Sequence, residues 1–341
     1  MGRYNIALVL GDGIGPELAS SANMILEKIN DNTTVKFNVK TAEAGDGALA
    51  KYGEALPQLS MEIIKGSQGC LKAPVGESAA DVVLVLRRLF DLYANVRPAK
   101  SYPNVENLSD SVDLVLIREN TEDLYMGWEF QADDNTAISL RITSKRASER
   151  IAKYAFEEAR LRDNKKRVVA VHKSNVLRMS DGLFAKTCRA VSQNYPNISY
   201  NESYVDACAM NLIRNPDEFD VILTSNLYGD ILSDEAAQVV GGLGLAPCAN
   251  IGESFGLFEP VHGAAFDIAG KNQANPSGML LSIKMLLEWL SNKYSDNDAF
   301  RTGQHLESCL VEMFRNNQTT KDLGGKLTTN EFTKLLSLSM Y

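Results

Sequence analysis

Val221-Ile-Leu-Thr-Ser-Asn-Leu-Tyr-Gly-Asp-Ile-Leu-Ser-Asp-Glu235 holds the organisation of this chain in miniature. Its first residues form a short apolar run of the kind that makes a buried strand. From Asn226 the pattern turns helical, and Asp230 and Asp234 then stand on one helix face, one turn apart. Two hard oxygen donors so placed suit Mg2+ or Mn2+, with water and a chelating substrate filling the other positions. Taken alone, the same pair also fits plain helix-start charges favoured by the helix dipole.

Strand-then-helix alternation recurs on either side. Tyr4-Asn-Ile-Ala-Leu-Val-Leu10 precedes helical periodicity over 16–30. Val112-Asp-Leu-Val-Leu-Ile117 precedes a helical stretch over 147–162, and Arg167-Val-Val-Ala-Val171 one over 182–194. Residues 276–293 read as a long helix with Met279, Ile283, Leu286, Leu287 and Leu290 on its apolar face. This alternation predicts an α/β fold with a largely parallel sheet. The loop Gly11-Asp-Gly-Ile-Gly15 lacks Rossmann spacing, and Pro16 follows at a plausible first helical position.

Composition narrows the function. A chain of 341 residues has length for about two domains. A net charge of −8 argues against nucleic acid as a partner. No apolar run reaches the roughly 18 residues of a membrane span, and no signal peptide precedes the first strand. Cys70, Cys188, Cys208, Cys248 and Cys309 are odd in number and unpaired in spacing, as expected of free thiols in a reducing compartment. The expectation is a cytoplasmic protein acting on a small molecule.

Several separated motifs resemble those of the metal-dependent β-decarboxylating dehydrogenases, which oxidise isopropylmalate, isocitrate or homoisocitrate. They run in the family's order: Gly11-Asp-Gly-Ile-Gly-Pro-Glu17, Leu92-Tyr-Ala-Asn-Val-Arg-Pro98, Ile117-Arg-Glu-Asn-Thr-Glu122, Val171-His-Lys-Ser-Asn-Val176, Asn226 to Leu245, Glu259-Pro-Val-His-Gly263 and Asp322-Leu-Gly-Gly325. The resemblance implies the two-domain isopropylmalate dehydrogenase-like fold with a large mixed, mostly parallel sheet. Residues 1–92 plus 241–341 would form a discontinuous cofactor domain, and 93–240 a second domain with the substrate, the metal and a dimer interface.

The resemblance also implies roles. Arg87, Arg97 and Arg118 would bind the two carboxylates of a malate-type 2-hydroxy acid, for which a planar, permanently charged fork is suited. Asp206 would join Asp230 and Asp234 on the divalent ion and contact the substrate. Lys173 becomes the general base; its ordinary pKa of about 10.4 has to fall, through burial and a nearby cation, for it to serve at neutral pH. Tyr125 becomes the acid that protonates C3 after carbon dioxide leaves. In the family, the lysine and the Asp206-type carboxylate reach into the neighbouring subunit's site. That implies a homodimer with composite active sites, or a tetramer built from it.

His262-Gly-Ala-Ala-Phe-Asp-Ile-Ala-Gly270, with Asn275, resembles the adenosine-binding loop. Asp267 stands where NAD-dependent members carry an acid, and its carboxylate would repel a 2′-phosphate. NAD is therefore the expected cofactor, held by Ile14, Glu77, His262, Gly263, Ala264, Ala265, Asp267, Ile268 and Asn275. Phe266 replaces the family's usual proline. For the substrate, Val83 and Leu84 share a helix face with Arg87 and, with Val176, suit an isopropyl group better than a third carboxylate; Asn175 is also expected at the substrate. The expected substrate is 3-isopropylmalate, as in leucine biosynthesis. Homoisocitrate or isocitrate oxidation, a non-catalytic regulatory subunit of the same fold, and a dicarboxylate-binding protein without turnover are the alternatives.

Overall fold

The computed structural model describes residues 2–341. Its strands are β1 (Arg3–Val9), β2 (Lys36–Ala42), β3 (Gly69–Lys72), β4 (Ala94–Lys100), β5 (Asp113–Glu119), β6 (Glu129–Asp133), β7 (Thr136–Ser139), β8 (Arg167–His172), β9 (Ser199–Tyr204), β10 (Val221–Thr224), β11 (Pro247–Ile251) and β12 (Gly256–Pro260). Ten of them form one sheet in the order β2-β1-β3-β12-β11-β4-β5-β10-β8-β9. Strands from the two ends of the chain thus build one half of the sheet, and strands from its middle build the other.

The flanks of the sheet are parallel. Its centre is not: β12–β11, β11–β4 and β4–β5 pair antiparallel. The mixed, mostly parallel sheet follows the strand–helix alternation, because each parallel step needs a crossover that a helix supplies. The inner parallel strands β3, β8 and β10 are buried along nearly their whole length because helices cover both faces, whereas the edge strands β2 and β9 are more polar and partly exposed. Val221, Ile222 and Leu223 of β10 are fully buried.

The helix Ser277–Tyr294 lies against β11 and β12. It buries Met279, Ile283, Leu286, Leu287 and Leu290 completely, the face that the periodicity indicated. The helix Gly15–Asn32 starts one residue before Pro16, so the proline takes the second helical position rather than the first. Its missing N–H is harmless there, since the first four N–H groups of a helix lack internal partners. β6 and β7 form a separate hairpin whose residues are all exposed, flanked by the exposed Trp128. All five cysteines are buried free thiols. Among the described residues no helix is long and apolar enough to cross a membrane.

Candidate active site

A cleft of about 280 Å³ opens over the antiparallel centre of the sheet. Such a place, beside strand ends where the chain changes direction, is where open α/β sheets bind ligands. Val83, Leu84 and Arg87 enter it from one face of the helix Ala79–Leu89. Arg97 comes from β4, Arg118 from β5, and Asp230 from the helix Asn226–Val239.

The arginines are held, not solvated. Arg118 is only 1% exposed, and its Nε donates to Asn226 Oδ1 at 2.9 Å while Nη1 contacts Asp230. Arg97 reaches Asp230 at 3.1 Å and Asp234 at 3.3 Å. Arg87 Nε donates to Asn250 Oδ1 at 3.0 Å. Burial, reinforced by the Arg97 charge, brings the Arg118 guanidinium down to about 10. Burial would raise the Asp230 carboxyl, but Arg118 and Arg97 outweigh it and hold it below the usual range. Asp234 goes the other way: burial, helped by the Asp230 charge, lifts it despite Arg97. The buried Nη2 of Arg118 has no hydrogen-bond partner among the described residues. An orphaned, permanently charged donor at a cleft wall calls for an anion.

Tyr125 lines the same cleft from the turn after β5. Its hydroxyl donates to Asp230 Oδ2, and the Arg118 guanidinium lies 4.8 Å from its ring centre. Burial first, then the bond to Asp230, raises the phenol above its ordinary value, so it stays protonated.

Four expected site residues lie elsewhere in the chain. Lys173 follows β8, and its Nζ donates to Asp206 Oδ1 at 2.6 Å. That bond holds the Asp206 carboxyl below its ordinary value. Asn175 and Val176 are exposed, Val176 to 65%. None of the four lines the cleft that holds Tyr125 and Asp230. Accordingly, no cluster of three metal-ligating side chains exists among the described residues. Asp230 and Asp234 alone offer carboxylate oxygens on one helix face, a donor set that fits a hard divalent ion but leaves it incomplete within one chain.

Most of the expected cofactor residues belong to the 262–270 loop and the glycine loop docked on it. Ile14 N–H donates to Ala264 O at 2.8 Å, docking the glycine loop on the 262–270 loop. Gly13 permits this contact: a Cβ there would sit 2.0 Å from Ala264 O. His262 and Gly263 border the substrate cleft, while Asp267 is exposed farther out. Asn275 Nδ2 donates to Asp322 Oδ2 at 2.9 Å, which ties in the C-terminal Asp322-Leu-Gly-Gly325 segment. Glu77 is exposed and outside the cleft; its backbone N–H donates to Asp46 Oδ2. The glycine loop itself is fixed by Asp12, which accepts from the N–H groups of Asp46, Gly47 and Gly76.

One part of the wall went unassigned in the sequence. Lys72, at the end of β3, pairs with Glu259 of β12 at 2.7 Å, and both are buried. Asn250 Nδ2 donates to the same Glu259 at 2.8 Å. The charge and the amide inside apolar strands were the available signal, because buried polar groups need partners.

These motifs extend over the whole chain: residues 5–336 match the family model described as isocitrate/isopropylmalate dehydrogenase. The chain belongs to the isocitrate/isopropylmalate dehydrogenase family. It is 50% identical to a 3-isopropylmalate dehydrogenase of Sulfurisphaera tokodaii over 96% of both chains. It is 42% identical to a homoisocitrate dehydrogenase of Methanocaldococcus jannaschii, over 96% of this chain and 94% of that one. The crystal structure of isocitrate dehydrogenase from Methylococcus capsulatus superposes with a TM-score of 0.92 at 36% identity, covering 100% of this chain and 99% of the other. As a member of this family, the chain is a decarboxylating dehydrogenase acting on a small molecule.

Proposed function

We propose that this dehydrogenase converts 3-isopropylmalate to 2-oxoisocaproate by NAD-dependent oxidative decarboxylation, the step used in leucine biosynthesis. The observation that carries the reading is the pairing, in one cleft, of the buried Arg87 and Arg118 and the half-buried Arg97 with the apolar side chains of Val83 and Leu84. The arginines take the two carboxylates, and the apolar face takes the isopropyl group, whose burial contributes roughly 1.5–3 kcal/mol. Lys72 is the one feature that favours homoisocitrate or isocitrate, since it brings an ammonium to the same wall. Glu259, 2.7 Å away, neutralises it.

When bound, Mg2+ or Mn2+ would supply positive charge to the substrate oxygens, and NAD would supply the hydride acceptor. Asp230 and Asp234 would hold the ion, completed by Asp206 of a second subunit. The 262–270 loop, Ile14 and Asn275 would hold NAD, with Asp267 on the ribose. Lys173 takes the C2 hydroxyl proton, and Tyr125, kept protonated by its surroundings, later gives one to C3. Because Lys173 and Asp206 do not line their own chain's cleft, we place them in a neighbour's, in a homodimer with composite sites. The lobes are assigned as 1–92 plus 241–341 and 93–240, a division supported by the two halves of the sheet. Cleft closure between such lobes is expected on binding.

The test is NADH formation by purified protein with Mg2+, comparing 3-isopropylmalate, isocitrate, homoisocitrate and malate. A dominant kcat/KM for 3-isopropylmalate supports the assignment; dominance of a tricarboxylate overturns it.

A further inference from the structure

Arg141 lies outside the substrate cleft, just past the exposed β6–β7 hairpin, yet it ties together three segments that carry the chemistry. Its Nε donates to Asp123 Oδ1 at 2.7 Å, and Nη2 lies 3.3 Å from Asp123 Oδ2. Nη1 pairs with Asp181 Oδ1 at 3.0 Å and donates to the Tyr228 hydroxyl at 2.9 Å. Nη2 also donates to Ser225 Oγ at 2.7 Å.

Each partner leads to a reacting group. Asp123 stands two residues before Tyr125, in the left-handed region at φ 73°, and its Oδ2 accepts the Leu227 N–H at 3.1 Å. Ser225 and Tyr228 flank the start of the helix that presents Asp230 and Asp234. Asp181 accepts the backbone N–H of Lys173 through Oδ2 at 2.6 Å. One guanidinium therefore fixes the Tyr125 turn, the Asp230 helix and the Lys173 loop relative to one another.

Asp123 and Asp181 are each 2% exposed. Two carboxylates converging on one arginine, all withdrawn from water, are a poor device for stability alone, since desolvation offsets most of the attraction. The directional, multi-armed fork is what an arginine adds over any apolar filler. The left-handed Asp123 supports the same view, since unfavourable backbone persists where surroundings fix it.

We propose that Arg141 is a positioning residue that sets Tyr125, Lys173 and the Asp230–Asp234 helix in their reactive arrangement through Asp123, Asp181, Ser225 and Tyr228. This rests on the acid and base roles given above to Tyr125 and Lys173. Because Lys173 would serve a neighbour's cleft, the clamp links the acid of one site to the base of another.

The test compares Arg141→Gln and Asp181→Asn with the parent enzyme, using Mg2+, NAD and 3-isopropylmalate. A displacement of about 1 Å at the reacting groups costs on the order of 10²-fold, so kcat of Arg141→Gln falls by about that factor. KM for NAD stays within roughly threefold, because the 262–270 loop makes no contact with Arg141 in the clamp. Asp181→Asn keeps the shape and loses the charge pair, covering the case in which Arg141→Gln does not fold; its kcat falls by roughly tenfold. Parent-like kcat in the folded variants, with only a lowered Tm, overturns the clamp. Parent-like turnover in Lys173→Ala and Tyr125→Phe overturns the underlying roles instead, which separates the two failures.

Discussion

Asn95 and Asn250 face each other across the antiparallel β4–β11 pair that joins the two halves of the sheet, and Asn95 Nδ2 donates to Asn250 Oδ1 at 2.7 Å. The same oxygen accepts from Arg87 Nε at 3.0 Å and Asn120 Nδ2 at 3.0 Å, while the amide nitrogen donates to Glu259. Asn250 thus orients Arg87, proposed above to bind the substrate, from the seam itself. Replacing it by alanine strands buried donors at about 1–3 kcal/mol each. We expect Asn250→Ala to lose roughly 3 kcal/mol or more in urea denaturation, and to raise KM for the acid substrate more than KM for NAD. Unchanged stability would show that water or neighbouring groups replace the lost partners.

In the proposed function, Leu84 and Val83 decide selectivity. A third carboxylate brought against them finds no free cation, since Arg87 is assigned to the carboxylates that all these acids share and Lys72 is paired with Glu259. Leu84→Arg supplies one. The expected outcome is a fall in kcat/KM for 3-isopropylmalate of about 10–200-fold, the range for a lost apolar contact, with a gain for homoisocitrate. Steady-state kinetics on both acids checks it; a parallel loss on both would mean that Leu84 is only packing.

Much of this architecture was legible because it is local. Helical spacing alone puts Asp230 beside Asp234, and Val83 and Leu84 beside Arg87. The alternating apolar strands and helices gave the layers for the same reason. The antiparallel centre was not legible: β11 and β12 are five-residue strands with no strong alternation, and their pairing with β4 is a long-range choice. The Arg87–Asn250 bond spans 163 residues, so no sequence window contains both partners. Arg141 was missed likewise, since three of its four partners lie 18, 84 and 87 residues away and the fourth, Asp181, lies on the helix Ser180–Ser192.

Asp230 and Asp234 should respond to pH with opposite signs. Asp230 is held below its unfolded value, so its ionisation stabilises the fold above about pH 4 and that contribution disappears as pH falls through its folded pKa. Asp234 is raised, so its ionised form costs stability at neutral pH and the cost fades under acid. In EDTA at pH 7, Asp230→Asn is expected to lower the urea midpoint and Asp234→Asn to leave it equal or higher. The Asp230→Asn deficit should shrink toward pH 3. With saturating Mg2+ instead of EDTA, the parent gains Tm by mass action and both variants gain less. Equal deficits for the two variants in EDTA would contradict the electrostatic assignment.

Asp267 is exposed on the 262–270 loop, proposed above to hold NAD, where its substitution carries little cost to folding. Replacing the carboxylate by a cation removes the ribose acceptor and its repulsion of a 2′-phosphate together. Asp267→Lys should therefore move the NAD to NADP ratio of kcat/KM by roughly 10²-fold toward NADP, one tenfold step per 1.4 kcal/mol of binding, with kcat nearly constant. A parent enzyme that already prefers NADP would refute the choice of cofactor outright.

Lys72 and Glu259 offer the sharpest contrast between charge and shape. Removing one partner of a buried ion pair leaves the other uncompensated, at about 3–5 kcal/mol, whereas replacing both by apolar groups is often neutral. Lys72→Met should thus destabilise strongly, and Glu259→Gln somewhat less, because the new side-chain amide still offers an oxygen to Asn250. The Lys72→Met, Glu259→Leu double variant should recover part of the Lys72→Met loss. The kinetics bear on the substrate. With Glu259→Gln the Lys72 ammonium is no longer neutralised, so tricarboxylates should gain in kcat/KM relative to 3-isopropylmalate. If selectivity does not move while stability falls, the pair supports the seam of the sheet and takes no part in choosing the acid.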